Sequence, residues 1–269
     1  MPDASEPFAI ATHQLRKCFD HFVALEGLSL QVPHACIFGL LGPNGAGKST
    51  AIKTLTTLLD PTSGSATVAG FDIARQPVEV RRHIGYVPQM LSADGALTAI
   101  ENLNLSARLQ GLRGAERRAR VKEALAFAGL EATASKLVRA YSGGMIRRLE
   151  IAQATLHNPQ VLFLDEPTIG LDPIARRTVW ERLEHLREKG TTILITTHDM
   201  EEADTLCDEL AILHQGRLAV VGKPESLKAQ VGENASLDDV FVHFSGVGLE
   251  QGGDYRGTRD SRDAIQRLG

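Results

Sequence analysis

Nine consecutive residues early in the chain combine glycines with a lysine and two hydroxyl side chains, a composition suited to binding phosphate. They are Gly42, Pro43, Asn44, Gly45, Ala46, Gly47, Lys48, Ser49 and Thr50. The glycines let the backbone wrap closely around phosphate, so that its amide hydrogens point inward. Lys48 can then reach the β- and γ-phosphates of a nucleotide, and the Ser49 hydroxyl can bind Mg²⁺. An apolar run before the segment and a helical pattern after it match the P-loop pattern.

A second candidate site follows the apolar run at residues 161–164, where Asp165 and Glu166 come next. In P-loop enzymes a carboxylate at the end of such a strand holds Mg²⁺, which predicts that role for Asp165. Glu166 would lie at the strand tip, where a carboxylate can polarise an attacking water as a general base. Acidic residues also close strands for solubility, but their combination with a P-loop favours the metal and base interpretation.

A third segment begins an amphipathic helical pattern and consists of Tyr141, Ser142, Gly143, Gly144 and Met145. Ser142 is a good N-cap, and the glycines could simply form a turn. The same features also make an anion site, because they join a hydroxyl group and two residues without side chains to a helix N-terminus. The segment lies 94 residues after Lys48. One chain thus carries two phosphate-binding elements and one P-loop.

The elements that must position these residues follow from hydrophobic patterning. Short alternating stretches in residues 8–32 predict strands. Apolar runs predict buried parallel strands at residues 36–41, 161–164 and 191–197. Amphipathic patterns predict helices at residues 48–59, within 94–157 and around 179–186. Strands that alternate with helices indicate an α/β fold with a mainly parallel sheet, and the helical block is inserted between two of its strands.

The composition excludes several classes of protein. Hydrophobic residues make up 43% and charged residues 23%, which is ordinary for a globular chain, and a net charge of −4 gives no electrostatic reason to bind nucleic acid. The apolar runs are too short to span a bilayer, which needs about 20 residues, and the N-terminus has no apolar leader segment. Three widely spaced cysteines predict reduced thiols in a cytosolic compartment.

Six motifs, in this order, resemble those of the nucleotide-binding subunit of ATP-binding cassette (ABC) transporters. They are GPNGAGKST, YVPQ with Gln89, YSGGM, LFLDEP, PTIGLD with Asp172, and TTHD with His198. The resemblance covers roughly residues 8–222. It implies a P-loop NTPase core of the RecA-like type with a mainly parallel sheet, a small antiparallel β subdomain and an inserted α-helical subdomain. It also implies ATP hydrolysis, with ATP and Mg²⁺ as cofactors.

The resemblance implies roles for single residues. Phe19 occupies the place of the aromatic residue that stacks on adenine, although Phe22 lies close by and a core role stays open. Gln89 matches the glutamine that contacts Mg²⁺ and the attacking water and that senses the membrane subunit. His198 matches the histidine that contacts the γ-phosphate and orients the water. Asp172 matches the aspartate of a loop that crosses between two subunits, and it could equally cap the helix that follows it.

The YSGGM segment departs from the commoner Leu-Ser-Gly-Gly-Gln form at both ends, with Tyr141 and Met145. Met145 removes an amide that could hydrogen-bond the partner's nucleotide, whereas Ser142 and the two glycines, which face phosphate, remain. Together with Arg147 and Arg148, this variant resembles the drug, antibiotic and polysaccharide export branch, of the daunorubicin-resistance type. Residues 236–241 resemble the ending of that branch.

The resemblance therefore implies the motor subunit of a membrane exporter. Two copies would stack head to tail on two ATP molecules, with Ser142, Gly143 and Gly144 of one copy completing the site around Lys48 of the other. A separate membrane-spanning permease would carry the cargo. The chain would be cytoplasmic, peripheral on the cytoplasmic face of the cell membrane through that permease, and without a nucleic acid partner.

Two other functions stay open. One is an ABC importer subunit or a cassette for lipoprotein release or cell division, against which the YSGGM form and the C-terminal ending argue weakly. The other is a soluble ABC ATPase that acts on ribosomes or DNA. Members that act in translation usually carry two cassettes and chromosome-type members insert long coiled coils, whereas this chain has one P-loop and 94 residues between Lys48 and Ser142.

The predicted division of the chain has four parts. An N-terminal arm (1–7) precedes the ABC ATPase domain (8–225), into which the helical subdomain (about 92–158) is inserted. A C-terminal helical extension follows at 226–246, because Leu237, Val240, Phe241 and Phe244 have the spacing of a helical stripe that requires a docking surface. Residues 247–269 hold four acids, four arginines and five glycines, which predicts a flexible tail.

Overall fold

The computed structural model describes residues 7–245. The predicted tail at 247–269 and all but the last residue of the predicted arm lie outside the described residues. The strands are β1 (Ile10–Phe19), β2 (Phe22–Leu28), β3 (Gln31–Val32), β4 (Ile37–Leu41), β5 (Ser63–Val68), β6 (Phe71–Asp72), β7 (Ile84–Val87), β8 (Val161–Asp165), β9 (Thr192–Thr197), β10 (Glu209–His214) and β11 (Arg217–Gly222). The helices are α1 (Lys48–Leu55), α2 (Pro77–His83), α3 (Ala99–Leu109), α4 (Gly114–Ala128), α5 (Gly143–Thr155), α6 (Pro173–Glu188), α7 (Met200–Leu206), α8 (Pro224–Val231) and α9 (Leu237–Ser245).

The central layer is a six-stranded sheet in the order β11-β10-β4-β9-β8-β7. Five of its strands are parallel, and β11 is antiparallel to β10. Every residue of β4, β8 and β9 is buried, because alternate side chains pack into two apolar clusters. In β4, for example, Phe38 and Leu40 join one cluster while Ile37 and Leu41 join the other. The predicted buried parallel strands are confirmed, and the segments that follow β4 and β8 meet at one edge of the sheet.

A smaller antiparallel sheet packs on one side of this layer. Its order is β2-β1-β5-β6, and β3 also pairs with β1. Ile10 of β1, Leu25 of β2 and Ile52 of α1 share an apolar cluster with Phe38 of the central sheet. Helix α1, which follows the predicted phosphate loop, is therefore enclosed between the two sheets. The predicted small antiparallel sheet is confirmed.

Helices α3, α4 and α5 form a block that the chain builds between β7 and β8. Their inward faces share a third cluster, which includes Leu103, Val121, Leu125 and Leu149. Helix α4 ends at Ala128, and Gly129 caps it with a left-handed φ of 62°, a conformation that glycine adopts without strain. The exact borders of the helical subdomain stay a prediction. Within residues 7–245, no helix combines the length and the apolar character needed to cross a membrane.

Two local elements differ from the sequence-based expectation. Helix α1 ends at Leu55 rather than at residue 59, because Thr57 adopts a left-handed φ of 62° and the Leu58 amide donates to the Lys53 carbonyl at 2.8 Å. This geometry closes a helix. Helix α2 lies outside the stretches in which the sequence predicts helices. Its signal was Pro77, which lies at the first helical position, where proline is favoured.

Helix α9 docks on the body of the protein through the stripe that the sequence predicted. Leu237 and Val240 are buried in the cluster on one side of the central sheet, and Phe241 and Phe244 pack against it. The ring of Phe241 also makes an edge-on contact with His214 at the end of β10, with 6.3 Å between ring centroids. The last described helix thus belongs to the core of the main sheet.

Replacing Leu237 with alanine is expected to lower the free energy of unfolding by about 2–5 kcal/mol, because it removes a buried side chain and leaves a cavity. The matched control is Asp238→Ala, one residue further along the same helix, where the side chain is exposed. That change should cost less than about 1 kcal/mol, the contribution of one acidic residue in a first helical turn. Denaturant unfolding of both variants checks this, and equal losses would contradict the docking of α9 through its apolar stripe.

Candidate functional site

Lys48 begins α1 and is buried with its amine directed back into the loop before it. The Nζ donates to the carbonyl oxygens of Gly42 at 2.6 Å and Pro43 at 3.2 Å, and lies 3.5 Å from Glu166 Oε1. Burial lowers the pKa of Lys48, although the nearby Glu166 opposes this shift. The loop residue before Lys48 has to be a glycine. The φ of Gly47 is 105°, and a Cβ there would lie 2.5 Å from the Ala24 carbonyl oxygen.

The predicted phosphate loop surrounds a cavity of about 360 Å³. The predicted residues that line it are Pro43, Asn44, Gly45, Gly47, Lys48, Ser49, Thr50, Gln89 and Glu166. Phe22 contributes to the lining as well, whereas Phe19, its partner across the β1–β2 hairpin, does not. Phe22 is 63% exposed and Phe19 41%. The geometry therefore adds Phe22 as a candidate aromatic residue to stack on the adenine ring of a nucleotide. The ring of Phe19 already makes a cation-π contact with Lys17.

Asp165 ends β8 with its carboxylate beside the start of α1. Its Oδ1 accepts hydrogen bonds from Ser49 Oγ at 3.1 Å and from Thr196 Oγ1 at 2.6 Å. Carboxylate and hydroxyl oxygens are the hard ligands that Mg²⁺ prefers, and Mg²⁺ usually completes its shell with water and substrate phosphate. Ser49 and Asp165 therefore fit a magnesium site beside phosphate. Thr196 was not found from the sequence, because a threonine inside a β-branched strand is ordinary strand composition.

Glu166 is buried and lies where three other candidate residues converge. Its Oε2 is 3.2 Å from His198 Nδ1 and accepts from Gln89 Nε2 at 3.4 Å, while its Oε1 faces Lys48. The backbone of Glu166 has a left-handed φ of 48°, which is costly for a residue with a side chain. Hydrogen bonds from its amide to the Thr196 hydroxyl and carbonyl hold it there. A carboxylate held in this way can act as a general base.

His198 follows β9 on a loop that a separate set of polar contacts fixes. The Asp199 side chain caps α7 by accepting from the amides of Glu201 and Glu202, and it pairs with Arg176 of α6 at 2.7 Å. The Asp199 amide donates to Thr197 Oγ1 at 3.0 Å. These contacts hold the imidazole beside Glu166, while its other side remains half exposed. The structure thus places His198 at the same site as Glu166.

Two other predicted residues, Ser142 and Asp172, lie at exposed helix N-termini. Ser142 caps α5 by accepting from the Met145 amide at 3.3 Å, and Asp172 caps α6 by accepting from the amides of Ile174 and Ala175. Both capping predictions are confirmed. A Cβ at Gly144 would lie 2.6 Å from Ala175 Cβ, so α5 and α6 need a glycine there to pack.

In the described part of the chain, none of Ser142, Gly143, Gly144 and Asp172 lines the cavity at Lys48. Ser142, Gly143 and Asp172 instead face solvent. The two phosphate-binding elements that the sequence predicts are therefore separate surfaces within one chain. One is a formed cavity and the other is an open helix terminus.

Comparison with known proteins identifies relatives that cover most of this chain. The family model described as "ABC transporter" matches residues 25–169. The daunorubicin/doxorubicin resistance ATP-binding protein DrrA of Streptomyces peucetius is 45% identical over 226 residues, which cover 84% of this chain and 68% of that protein. The Nod factor export ATP-binding protein I of Burkholderia thailandensis is 46% identical over 220 residues, which cover 81% of this chain and 72% of that protein.

A solved structure is similar over most of the described fold. It is the dimeric, post-hydrolysis state of an ATP-binding cassette bound to ADP and Pi. The TM-score is 0.71 and the sequence identity 29%, and the similarity covers 80% of this chain and 98% of that one. The overall fold of this chain thus agrees with that of a solved ATP-binding cassette.

Proposed function

Because this chain belongs to the ABC transporter family, as an ATP-binding subunit that hydrolyses ATP, we propose that it is the motor subunit of a membrane exporter. The observation that carries the proposal is the convergence of Gln89, His198 and Lys48 on the buried carboxylate of Glu166. A carboxylate with these neighbours is positioned to act on a water molecule beside the γ-phosphate of ATP.

Each residue at the site would have a distinct role in ATP hydrolysis. Lys48 gives up its contacts to loop carbonyls to bind the β- and γ-phosphates. Glu166 accepts a proton from the attacking water, while His198 and Gln89 orient that water from two sides. Ser49 and Asp165, with Gln89, would hold Mg²⁺, which neutralises charge on the phosphates. Because Gln89 and His198 already contact Glu166 before ATP arrives, these three groups need little reorganisation at the moment of reaction.

A second copy of the chain would complete each site. Ser142, Gly143 and Gly144 present a helix N-terminus that can bind anions, yet this surface lies apart from the cavity at Lys48. Stacking two copies head to tail brings the α5 terminus of one onto the ATP of the other. Ile174 near Asp172 is 81% exposed, which suits a residue that a partner covers. ATP would favour the closed pair through contacts that exist only in that state.

Ser142→Arg is expected to prevent ATP-driven pairing without unfolding the chain, because a bulky cation replaces a small exposed hydroxyl at the point of closest approach. Alone, this variant and Lys48→Ala should each lose ATP hydrolysis. In a mixed pair, one composite site carries both changes and the other carries none. Mixing the two inactive variants should therefore restore part of the ATP hydrolysis, and titrating one against the other measures it.

The matched control mixes two separate preparations of Ser142→Arg. Every composite site in that mixture carries the change, so no ATP hydrolysis should return. Thermal unfolding of each variant checks that the fold is intact. If instead the wild-type chain hydrolyses ATP at the same rate per molecule at every dilution, and the mixture stays inactive, the head-to-tail arrangement is wrong.

The membrane partner would dock in a cleft between the helical block and β7 at the sheet edge. This cleft has a volume of about 490 Å³, and its lining includes Tyr86, Leu109 and Glu150. Leu58 and Leu109 are exposed at its rim, and exposed apolar clusters mark docking surfaces. Glu150 also accepts a hydrogen bond from Ser92 in the loop that carries Gln89. A partner docked in this cleft would therefore influence the position of Gln89 at the catalytic site. Held there, the chain would lie on the cytoplasmic face of the cell membrane.

The direction of transport rests on the relatives. One similar protein is named for Nod factor export and another for daunorubicin and doxorubicin resistance. We therefore assign export rather than import to this chain. The cargo would contact the permease. The residues described above would therefore bind and hydrolyse ATP, and the permease would select the cargo.

A further inference from the structure

Helix α5 carries a buried ion pair that the hydrolysis mechanism above does not use. Arg147 and Glu150, three residues apart, have side chains only 2% exposed, and Arg147 Nη1 lies 3.0 Å from Glu150 Oε2. Burial lowers the pKa of Arg147. Taking two charges out of water is costly, so a buried pair is weak evidence for a role in stability. Its remaining contacts show what the pair holds.

The side-chain hydrogen bonds of Arg147 and Glu150 all go to one loop, residues 88–93. Arg147 Nη1 donates to the Pro88 carbonyl at 2.7 Å, and Nη2 donates to the Gln89 carbonyl at 2.8 Å. Glu150 Oε1 accepts from the Ser92 amide, from Ser92 Oγ at 3.1 Å and from the Ala93 amide at 3.2 Å. The arginine therefore fixes the start of the loop, and the glutamate fixes its end.

The middle of this loop has little else to anchor it. Met90 is 82% exposed and Leu91 50%, so these apolar side chains do not pack the loop onto the core. The Gln89 side chain nevertheless has to point at Glu166, where Nε2 lies 3.4 Å from Oε2. The contact that sets the backbone of Gln89 is the hydrogen bond from Arg147.

We propose that Arg147 and Glu150 are positioning residues that hold Gln89 over Glu166 and make the loop move with α5. Helix α5 begins at Ser142, the residue that would contact the ATP of a second copy. A shift of that helix, when ATP is bound between two copies, would carry Gln89 with it. The inference rests on the proposed catalytic role of Gln89 and adds the mechanical link between that residue and the α5 terminus.

The chemistry of the contact requires arginine. The two terminal nitrogens of one planar guanidinium donate to the carbonyl oxygens of two successive residues. A lysine ammonium is a point charge and does not have this fixed pair of donors. The adjacent Arg148 provides a contrast on the same helix. Its Nη1 donates to the Ala128 carbonyl of α4 at 2.9 Å, inside the helical block. Removal of Arg148 therefore tests the loss of a partly buried arginine without disturbing Gln89.

The experiment compares Arg147→Met with Arg148→Met in ATP hydrolysis. Arg147→Met should lower kcat by about 10- to 100-fold while the KM for ATP changes less than about twofold, since a misplaced group costs turnover rather than nucleotide binding. Arg148→Met should keep kcat close to wild type. Similar losses in both variants, or a loss in KM alone, would overturn the proposal.

A double-mutant cycle separates positioning from general destabilisation. If Arg147 acts through Gln89, Arg147→Met should have almost no further effect on kcat in a Gln89→Ala background. Additive losses in the double variant overturn the link while leaving the role of Gln89 intact. A Gln89→Ala variant with wild-type kcat instead overturns the catalytic role of Gln89. The proposed action of Arg147 through Gln89 is then overturned as well.

Arg147→Lys keeps the test usable where Arg147→Met does not fold. It preserves the charge opposite Glu150 but can bind only one of the two carbonyls well. We expect a fall in kcat smaller than that of Arg147→Met at an unchanged KM, which again disappears in the Gln89→Ala background. A wild-type kcat in Arg147→Lys would show that charge alone suffices, and it would overturn the assignment of the two-carbonyl contact.

Discussion

Replacing Glu166 with glutamine is expected to lower the rate of ATP hydrolysis by about 10²- to 10⁴-fold, the usual contribution of a positioned general base. The amide keeps the shape of the carboxylate and can still contact His198 and Gln89, but it cannot accept a proton from water. It also leaves the left-handed backbone at this position no more strained than before. ATP binding should persist, because Lys48 and the phosphate loop are unchanged.

The control is Glu184→Gln, an exposed residue on α6, which should hydrolyse ATP like the wild type. Turnover is measured as phosphate release in the presence of Mg²⁺, with nucleotide affinity determined separately. Near-normal turnover in Glu166→Gln would remove Glu166 as the base and transfer that role to another group at the site, of which His198 is the nearest.

Lys48→Ala is expected to weaken ATP binding by about 10- to 100-fold, because hydrogen bonds to charged groups contribute about 1.5–3 kcal/mol and each 1.4 kcal/mol is a factor of ten. Hydrolysis should fall below detection, since the lost ammonium also stabilises charge on the phosphates during the reaction. In the absence of nucleotide the variant also leaves Glu166 without its cationic neighbour at 3.5 Å.

The matched control for this change is Lys53→Ala, which lies on the same helix but is exposed. Calorimetric titration with ATP should give a wild-type affinity for Lys53→Ala and a weaker one for Lys48→Ala. Equal affinities in the two variants would count against the assignment of residues 42–50 as the phosphate loop.

The sequence predicted the parts of the site that depend on local chemistry. A glycine-rich loop between an apolar strand and a helix has few alternatives, and the strand that ends in Asp165 and Glu166 could be identified beside it. Buried parallel strands were also predictable, because apolar runs of this length occur where both faces of a sheet are covered. Ser142 and Asp172 were predictable as helix caps, since their types and positions suit that role.

Other features depend on contacts between distant segments. Arg147 and Glu150 follow YSGGM in an amphipathic helix, where charged residues normally face solvent, and only the packing of α5 against residues 88–93 shows that both are buried. Thr196 supports Asp165 from a neighbouring strand, and strand order is not visible in one sequence. Likewise Phe22 lines the cavity and Phe19 does not, although the two are cross-strand partners at the end of the β1–β2 hairpin, and sequence spacing alone does not distinguish them.

The head-to-tail motor is tested most sharply by the mass of the Glu166→Gln variant in solution, measured by light scattering with and without ATP and Mg²⁺. Binding without hydrolysis should trap two copies around two ATP molecules. We expect twice the mass of one chain with ATP and the mass of one chain with ADP. The variant with Ser142→Arg added should stay at the mass of one chain in both. A variant that binds ATP yet keeps the mass of one chain at every concentration would contradict the head-to-tail motor.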